Sequence, residues 1–289
     1  MAYFFHVPSP PLNFYIDRFY YLDDSVPVHR EKILPLPAID LKINFGGVFQ
    51  VYETEDDGPC ATLTESWALG LWSTYHIVGW PSDLQYVGVS FKPGGAYPFL
   101  GLPLSELQNQ IVPLDTIWGS FAAEIRERLY ATPTTQARFE LLEQRLLARL
   151  FDAAPLVGCR AAPVDLRAVQ YARAEIARRH GALSIRELSE SMGMSQKHLI
   201  LQFKQMVGST PKELGRLYRF ADSLESIDFT QPVDWTLVAH QFRYHDQSHF
   251  IRDFKVFTGH TPSEYLRLRR RMHAQNPDRA QHLRLLSIG

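Results

Sequence analysis

A twelve-residue phrase occurs twice in the last third of the chain, 51 residues apart. Phe203-Lys204-Gln205-Met206-Val207-Gly208-Ser209-Thr210-Pro211-Lys212-Glu213-Leu214 returns as Phe254-Lys255-Val256-Phe257-Thr258-Gly259-His260-Thr261-Pro262-Ser263-Glu264-Tyr265, with six positions identical. A repeat of that length implies two copies of one supersecondary unit. Gly208 and Gly259 suit the left-handed position that ends a helix. Thr210 and Thr261 then cap a new helix, with proline at its first position and glutamate at its third, the capping-box arrangement. Each copy therefore reads as helix, tight stop, new helix.

The charge distribution divides the chain at the same scale. Residues 1–159 carry 10 Lys and Arg against 18 Asp and Glu, a net of −8; residues 160–289 carry 20 against 13, a net of +7. The basic part suggests a nucleic-acid partner and the acidic part does not. At 289 residues about two domains are expected, and 45% hydrophobic residues suffice for ordinary cores. Only Cys60 and Cys159 are present, which supports neither a disulfide framework nor a zinc cluster. A reducing cytoplasm is the simplest setting. The N-terminus lacks a basic leader, and no apolar run approaches the ~18 residues of a membrane span, so no membrane partner is expected.

The expected fold class is multidomain α+β. Residues 1–115 read as a β-rich sandwich or cupin-like domain: the apolar runs 14–21, 39–45, 68–72, 75–78 and 85–91 are separated by Pro, Gly and Asp breakers. Residues 116–152 change to helical spacing. Ile117, Phe121, Ile125 and Leu129, then Phe139, Leu142, Leu146 and Leu150, recur every four residues or close to it, which predicts a helical hairpin for packing or dimerisation. Small residues and prolines mark 153–165 as a linker. An all-helical domain with two helix-turn-helix units joined by a linker helix is expected over 166–270, followed by a basic tail at 271–289.

In the first unit, the helix over 184–191 stops at Gly193 and Ser195 caps the next one. Leu199 and Phe203 face the core at four-residue spacing, leaving Gln196, Lys197, Ile200, Leu201 and Lys204 outward. In the second, Phe250 and Phe254 take the core positions and Gln247, Ser248, Ile251, Arg252 and Lys255 point out. Arg can bond guanine bidentately, Gln adenine, and Lys phosphate, as a major-groove reader requires. A linking helix over 211–227 would span about 25 Å, a brace for two readers near the ~34 Å of one DNA turn.

The segment Asp246-Gln247-Ser248-His249-Phe250-Ile251-Arg252-Asp253-Phe254-Lys255, with Gly259 and Thr261-Pro262-Ser263-Glu264-Tyr265, resembles the signature of the AraC/XylS family of bacterial transcription regulators. Residues 183–214 resemble that family's first helix-turn-helix. The resemblance covers 167–268 and implies a seven-helix DNA-binding domain, control of transcription, and attachment to a sensor or dimerisation domain. Two positions depart from the family pattern. Ile200 and Leu201 stand where a polar residue or Arg is common, so the first helix either reads thymine methyls or supplies affinity while the second discriminates. Arg243 stands where glycine is common; a positive φ there would cost roughly 1 kcal/mol, offset by a phosphate contact. The runs Glu31–Pro35, Asp40–Gly47 and Gly88–Ala96 are similar to a cupin-related β domain found ahead of this module, which implies a sensor role.

Double-stranded DNA is thus the expected partner, contacted by the ten outward residues above and Arg243. A small-molecule effector is expected at the aromatic cluster of Trp67, Trp72, Tyr75 and Trp80, whose alternative is ordinary core packing. RNA polymerase and a second copy of the chain are further candidate partners. No cofactor or metal is expected: His240, His245 and His249 lack a joining Cys, and His6, His29 and His76 are widely spaced. No nucleophile elbow or phosphate loop is present, and no enzymatic activity is expected. The rival readings are a metal-dependent cupin-like enzyme fused to a DNA module, and an N-terminal domain used only for dimerisation. Gly94-Gly95 reads as a turn, with an anion nest as its alternative, and the acidic run 53–57 as a solvated loop.

Overall fold

The computed structural model describes residues 2–25, 29–160, 163–275 and 285–287, without the side chains of 152–165, 285 and 287. The N-terminal part contains β1 (Ala2–His6), β2 (Ile16–Ser25), β3 (His29–Ile33), β4 (Ile39–Asn44), β5 (Phe49–Tyr52), β6 (Ala61–Leu63), β7 (Ser66–Leu69), β8 (His76–Trp80) and β9 (Asp83–Phe91). A short α1 (Tyr97–Leu100), β10 (Ile111–Pro113), α2 (Leu114–Trp118), α3 (Ser120–Ala131) and α4 (Thr135–Arg160) follow. The helical part holds α5 (Pro163–Arg178), α6 (Ile185–Ser191), α7 (Gln196–Met206), α8 (Pro211–Glu225), α9 (Trp235–Gln241), α10 (Gln247–Thr258) and α11 (Pro262–Gln275), and β11 (Leu285–Ser287) comes last.

The strands form two antiparallel sheets, ordered β1-β2-β9-β4-β7-β10 and β11-β3-β8-β5-β6. Period-two alternation divides the buried residues of β2, β4, β7 and β9 between two cores. Phe19, Leu41, Ile43, Val89 and Phe91 turn to one face and pack under the helices. Tyr20, Leu22, Trp67 and Tyr86 turn to the other, where they meet Phe49, Val51, Val78 and Trp80 of the smaller sheet. Gly88 on β9 pairs with Tyr20. A Cβ there would lie 2.1 Å from the Tyr20 ring, so only glycine admits that ring into the sandwich.

The hairpin forms, and its stripe is spent within the chain. Ile125, Leu129, Leu142 and Leu146 are fully buried in the core beneath the larger sheet. Phe99 O accepts from Trp118 Nε1 (3.0 Å) and from Arg149 Nε (2.8 Å), and Arg126 Nε donates to Asn44 O (2.8 Å). The stretch expected as a linker, 153–165, differs: α4 is helical through Arg160 with Pro155 inside it, against local propensity, and α5 starts at Pro163, the position where proline suits a helix.

The helices of the second half fall within a few residues of expectation because their boundaries are chemically marked. Ser184, Ser195, Thr210, Asp234 and Asp246 each accept a backbone N–H at a helix start. Thr210 and Glu213 form the full capping box, and Thr261 with Glu264 repeats it. Gly208 and Gly259 have φ of 89° and 76°, as left-handed helix stops require.

The two halves share one apolar core, in which Tyr97 and Leu104 of the first pack with Val169, Met206 and Val207 of the second. Polar bridges flank it: Gln205 Nε2 donates to Tyr97 Oη (3.0 Å) and Thr74 Oγ1 to Val256 O (2.7 Å). The tail also departs from expectation. Residues 271–275 belong to α11, and 285–287 pair antiparallel with Ile33–Glu31 as an edge strand of the smaller sheet, with Leu286 buried. The remainder of 276–289 lies outside the described residues.

Candidate nucleic-acid interface

Each helix-turn-helix unit is built on two buried residues of its second helix. Leu199 and Phe203 of α7, and Phe250 and Phe254 of α10, have no exposed surface. Helical periodicity then turns the remaining positions outward. Gln196, Lys197, Leu201 and Lys204 are exposed and Ile200 is half-buried; Arg243, Gln247, Ser248, Arg252 and Lys255 are exposed and Ile251 is half-buried. All eleven residues singled out from sequence thus lie at least partly on the surface. Leu201, with 60% of its area exposed, gives the first face an apolar centre where the second presents Arg252.

The linker helix α8 has 15 residues, hence a length of about 22 Å, and locks to the second reader. Arg216 of α8 reaches Asp253 of α10 through two bonds, NH2 to Oδ1 at 2.8 Å and Nε to Oδ2 at 3.3 Å. The Asp253 hydrogen bonds raise the Arg216 pKa despite partial burial. His249 Nε2 lies 3.7 Å from the same carboxylate and His245 Nδ1 2.9 Å from Asp246, so each faces a carboxylate. The bond from His245, followed by that from the His249 backbone, lowers the Asp246 pKa and keeps the cap of α10 ionised. Arg243 has φ of 55°, the left-handed turn conformation that glycine adopts more readily.

The aromatic cluster resolves differently. An apolar cavity opens between the two sheets, about 660 Å³ including its mouth, with Trp67, Trp72 and Trp80 in its wall. Tyr75 is not part of that wall. Its ring lies 4.6 Å beneath Lys32 Nζ and against Gly259, at the junction with the helical half. Lys32 there meets Glu55 Oε1 at 2.6 Å and His260 Nε2 at 3.0 Å, so one member of the acidic run is an ion-pair partner and not merely solvated. Burial, and then the Lys32 charge, lower the His260 pKa.

Sequence reasoning missed three polar residues of the cavity wall, Asp40, Lys42 and His76. The alternation of Asp40 and Lys42 with Ile39, Leu41 and Ile43 was the available signal. Burial, reinforced by the Lys42 charge, depresses the His76 pKa to about 3, so its ring is neutral; burial also lowers the Lys42 pKa. His6 lies 3.3 Å from Glu143 Oε2 and His29 stacks on Trp80, apart from His76. Among the described residues no group of three His, Cys, Asp or Glu side chains is placed to hold a metal ion. Among them, too, no helix is long and apolar enough to cross a membrane. Gly94 and Gly95 form a tight turn, with Gly95 N donating to Lys92 O at 2.7 Å.

Residues 5–113 match the family described as Domain of unknown function (DUF6597), and residues 188–268 match the family described as Helix-turn-helix domain. No curated protein matches the chain. Similar solved structures include an apo ToxT variant from Vibrio cholerae, at 12% identity and a TM-score of 0.39, covering 92% of this chain and 97% of that one. Wild-type ToxT from Vibrio cholerae with bound unsaturated fatty acid is similar at 13% identity and a TM-score of 0.40, covering 92% of this chain and 95% of that one. The chain carries an AraC-type helix-turn-helix domain, the DNA-binding part of transcription regulators, joined to an N-terminal domain from a family of unknown function.

Proposed function

We propose that this chain is a sequence-specific transcription regulator of the bacterial cytoplasm that reads two adjacent major-groove segments and responds to a small molecule held between its N-terminal sheets. The observation that carries the reading is the pair of capped helices, α7 and α10, each anchored by two fully buried residues and turning Gln and Lys side chains outward, around Leu201 in the first and Arg252 in the second. Base discrimination falls mainly to Arg252 and Gln247, phosphate contact to Lys204, Lys255 and Arg243, and the apolar contact to Ile200 and Leu201. The cavity walled by Trp67, Trp72 and Trp80 supports the effector role.

Binding sites selected from a random duplex library by the full-length protein supply the test. Arg252→Ala should lose ~1–3 kcal/mol of affinity and relax discrimination at one base pair. Lys204→Ala should weaken binding to every sequence and reduce the salt slope by about one. An Arg252→Ala variant that selects the same site as the wild type, with the same affinity, would remove α10 from the reading role.

A further inference from the structure

The cavity between the sheets holds more unmet polar groups than an apolar pocket tolerates. Lys42 Nζ, with three protons to donate, makes one hydrogen bond, to Tyr86 Oη at 3.3 Å. The indole nitrogens of Trp72 and Trp80 and both ring nitrogens of His76 are buried without a protein partner. So is Asp40 Oδ1, whose companion oxygen accepts from Tyr20 Oη at 3.0 Å. Each such group left unsatisfied is destabilising, because the hydrogen bonds it made to water in the unfolded chain are not replaced. Donors outnumber acceptors, but an acceptor with a negative charge is among them.

The charges add a second constraint. Asp40 and Lys42 stand two residues apart on β4, on the same face, with Cα atoms about 6.6 Å apart by the rise of a strand. The Asp40 charge acts on Lys42 from within the same wall, and together they sum to zero. A ligand with a single charge would leave this low-dielectric space unbalanced, whereas a zwitterion satisfies both residues and keeps it neutral. The space beyond is apolar, lined by Phe49, Trp67 and Leu69.

We infer that the cavity takes a compact apolar α-amino acid, with its carboxylate on Lys42 and the indole N–H groups, its ammonium on Asp40, and its side chain against Phe49, Trp67 and Leu69. The inference deepens the effector half of the proposed function and rests on it.

Calorimetric titration of the full-length protein tests it with three matched compounds: L-leucine, 4-methylpentanoate, which lacks the amine, and 3-methylbutylamine, which lacks the carboxylate. L-leucine should bind, and each truncated compound should bind at least tenfold more weakly. Lys42→Met should erase the advantage of L-leucine over the amine, and Asp40→Asn its advantage over the acid. The wild-type comparison stands by itself if either variant folds poorly. Equal affinity for 4-methylpentanoate and L-leucine would overturn the inference while leaving an effector site in place. Failure of L-leucine, L-methionine and L-phenylalanine alike at millimolar concentration would also overturn it. Selection of DNA sites by the same preparation tests the regulator reading separately.

Discussion

The two helix-turn-helix units share a scaffold and differ in how firmly it is held. Position 202 of the first corresponds to position 253 of the second, and both are buried, at 8% and 5% exposure. In the second unit Asp253 receives two bonds from Arg216, tying the reader to the linker helix. In the first, Gln202 Oε1 is buried with no partner. The turns differ in the opposite sense. Each unit has a left-handed residue two positions after its first helix, but the first uses Gly193 (φ 63°) and the second Arg243 (φ 55°), followed by one residue more before the cap. The second unit is therefore stiff at its reading helix and strained at its turn, while the first is relaxed at its turn and loosely specified at its reader. That division fits Arg252 as discriminator and Leu201 as an adaptable apolar contact.

Four measurements break or sharpen this comparison. Asp253→Ala should destabilise the protein by ~2–3 kcal/mol in urea unfolding, because it strands a charged guanidinium; Gln202→Leu should be neutral or slightly stabilising, since it removes an unmet polar group. Equal losses at the two positions would make the asymmetry illusory. Next, Leu201→Ala should lower DNA affinity by no more than ~1 kcal/mol, against the larger loss at Arg252, when both are titrated on the selected site. Arg243→Gly should raise stability by up to ~1 kcal/mol while weakening DNA binding and flattening its salt dependence. A gain in stability with unchanged DNA binding would leave the arginine without a role at the turn.

The smallest effect concerns pH. His260 faces Lys32, Glu55 and Glu264, and its folded pKa lies below its unfolded value. Between those two values the unfolded chain binds the extra proton, so stability falls as pH drops through the window below about 6.5. Hydrogen exchange around residues 256–260 should accelerate as pH is lowered toward 5, after correction for intrinsic rates, and His260→Asn should flatten that response.

Much of this was legible in sequence for a local reason. The caps, glycine stops and four-residue stripes of α6–α11 are each decided within a few residues, so their chemistry can be read without knowing the partner. The β part was half legible. β2, β4 and β9 carry apolar alternation, but β3 reads His29-Arg30-Glu31-Lys32-Ile33, and nothing in it announces a strand. Glu31 and Lys32 are buried there, and Lys32 meets residues 55, 75 and 260, far away in sequence. Tyr75 failed as a cavity residue for the same reason. Clustering along the chain placed it with the tryptophans, whereas its strand neighbourhood turned it to the junction.

The pairing of Leu285–Ser287 with β3 has a consequence for synthesis. The smaller sheet waits for its edge strand until the entire DNA-reading module has been made, so the N-terminal half emerges and folds with an open β3 edge. That edge is closed only after translation has passed residue 287. A premature stop shortly before that point would leave β3 an open edge and remove Leu286 from the core that the two halves share.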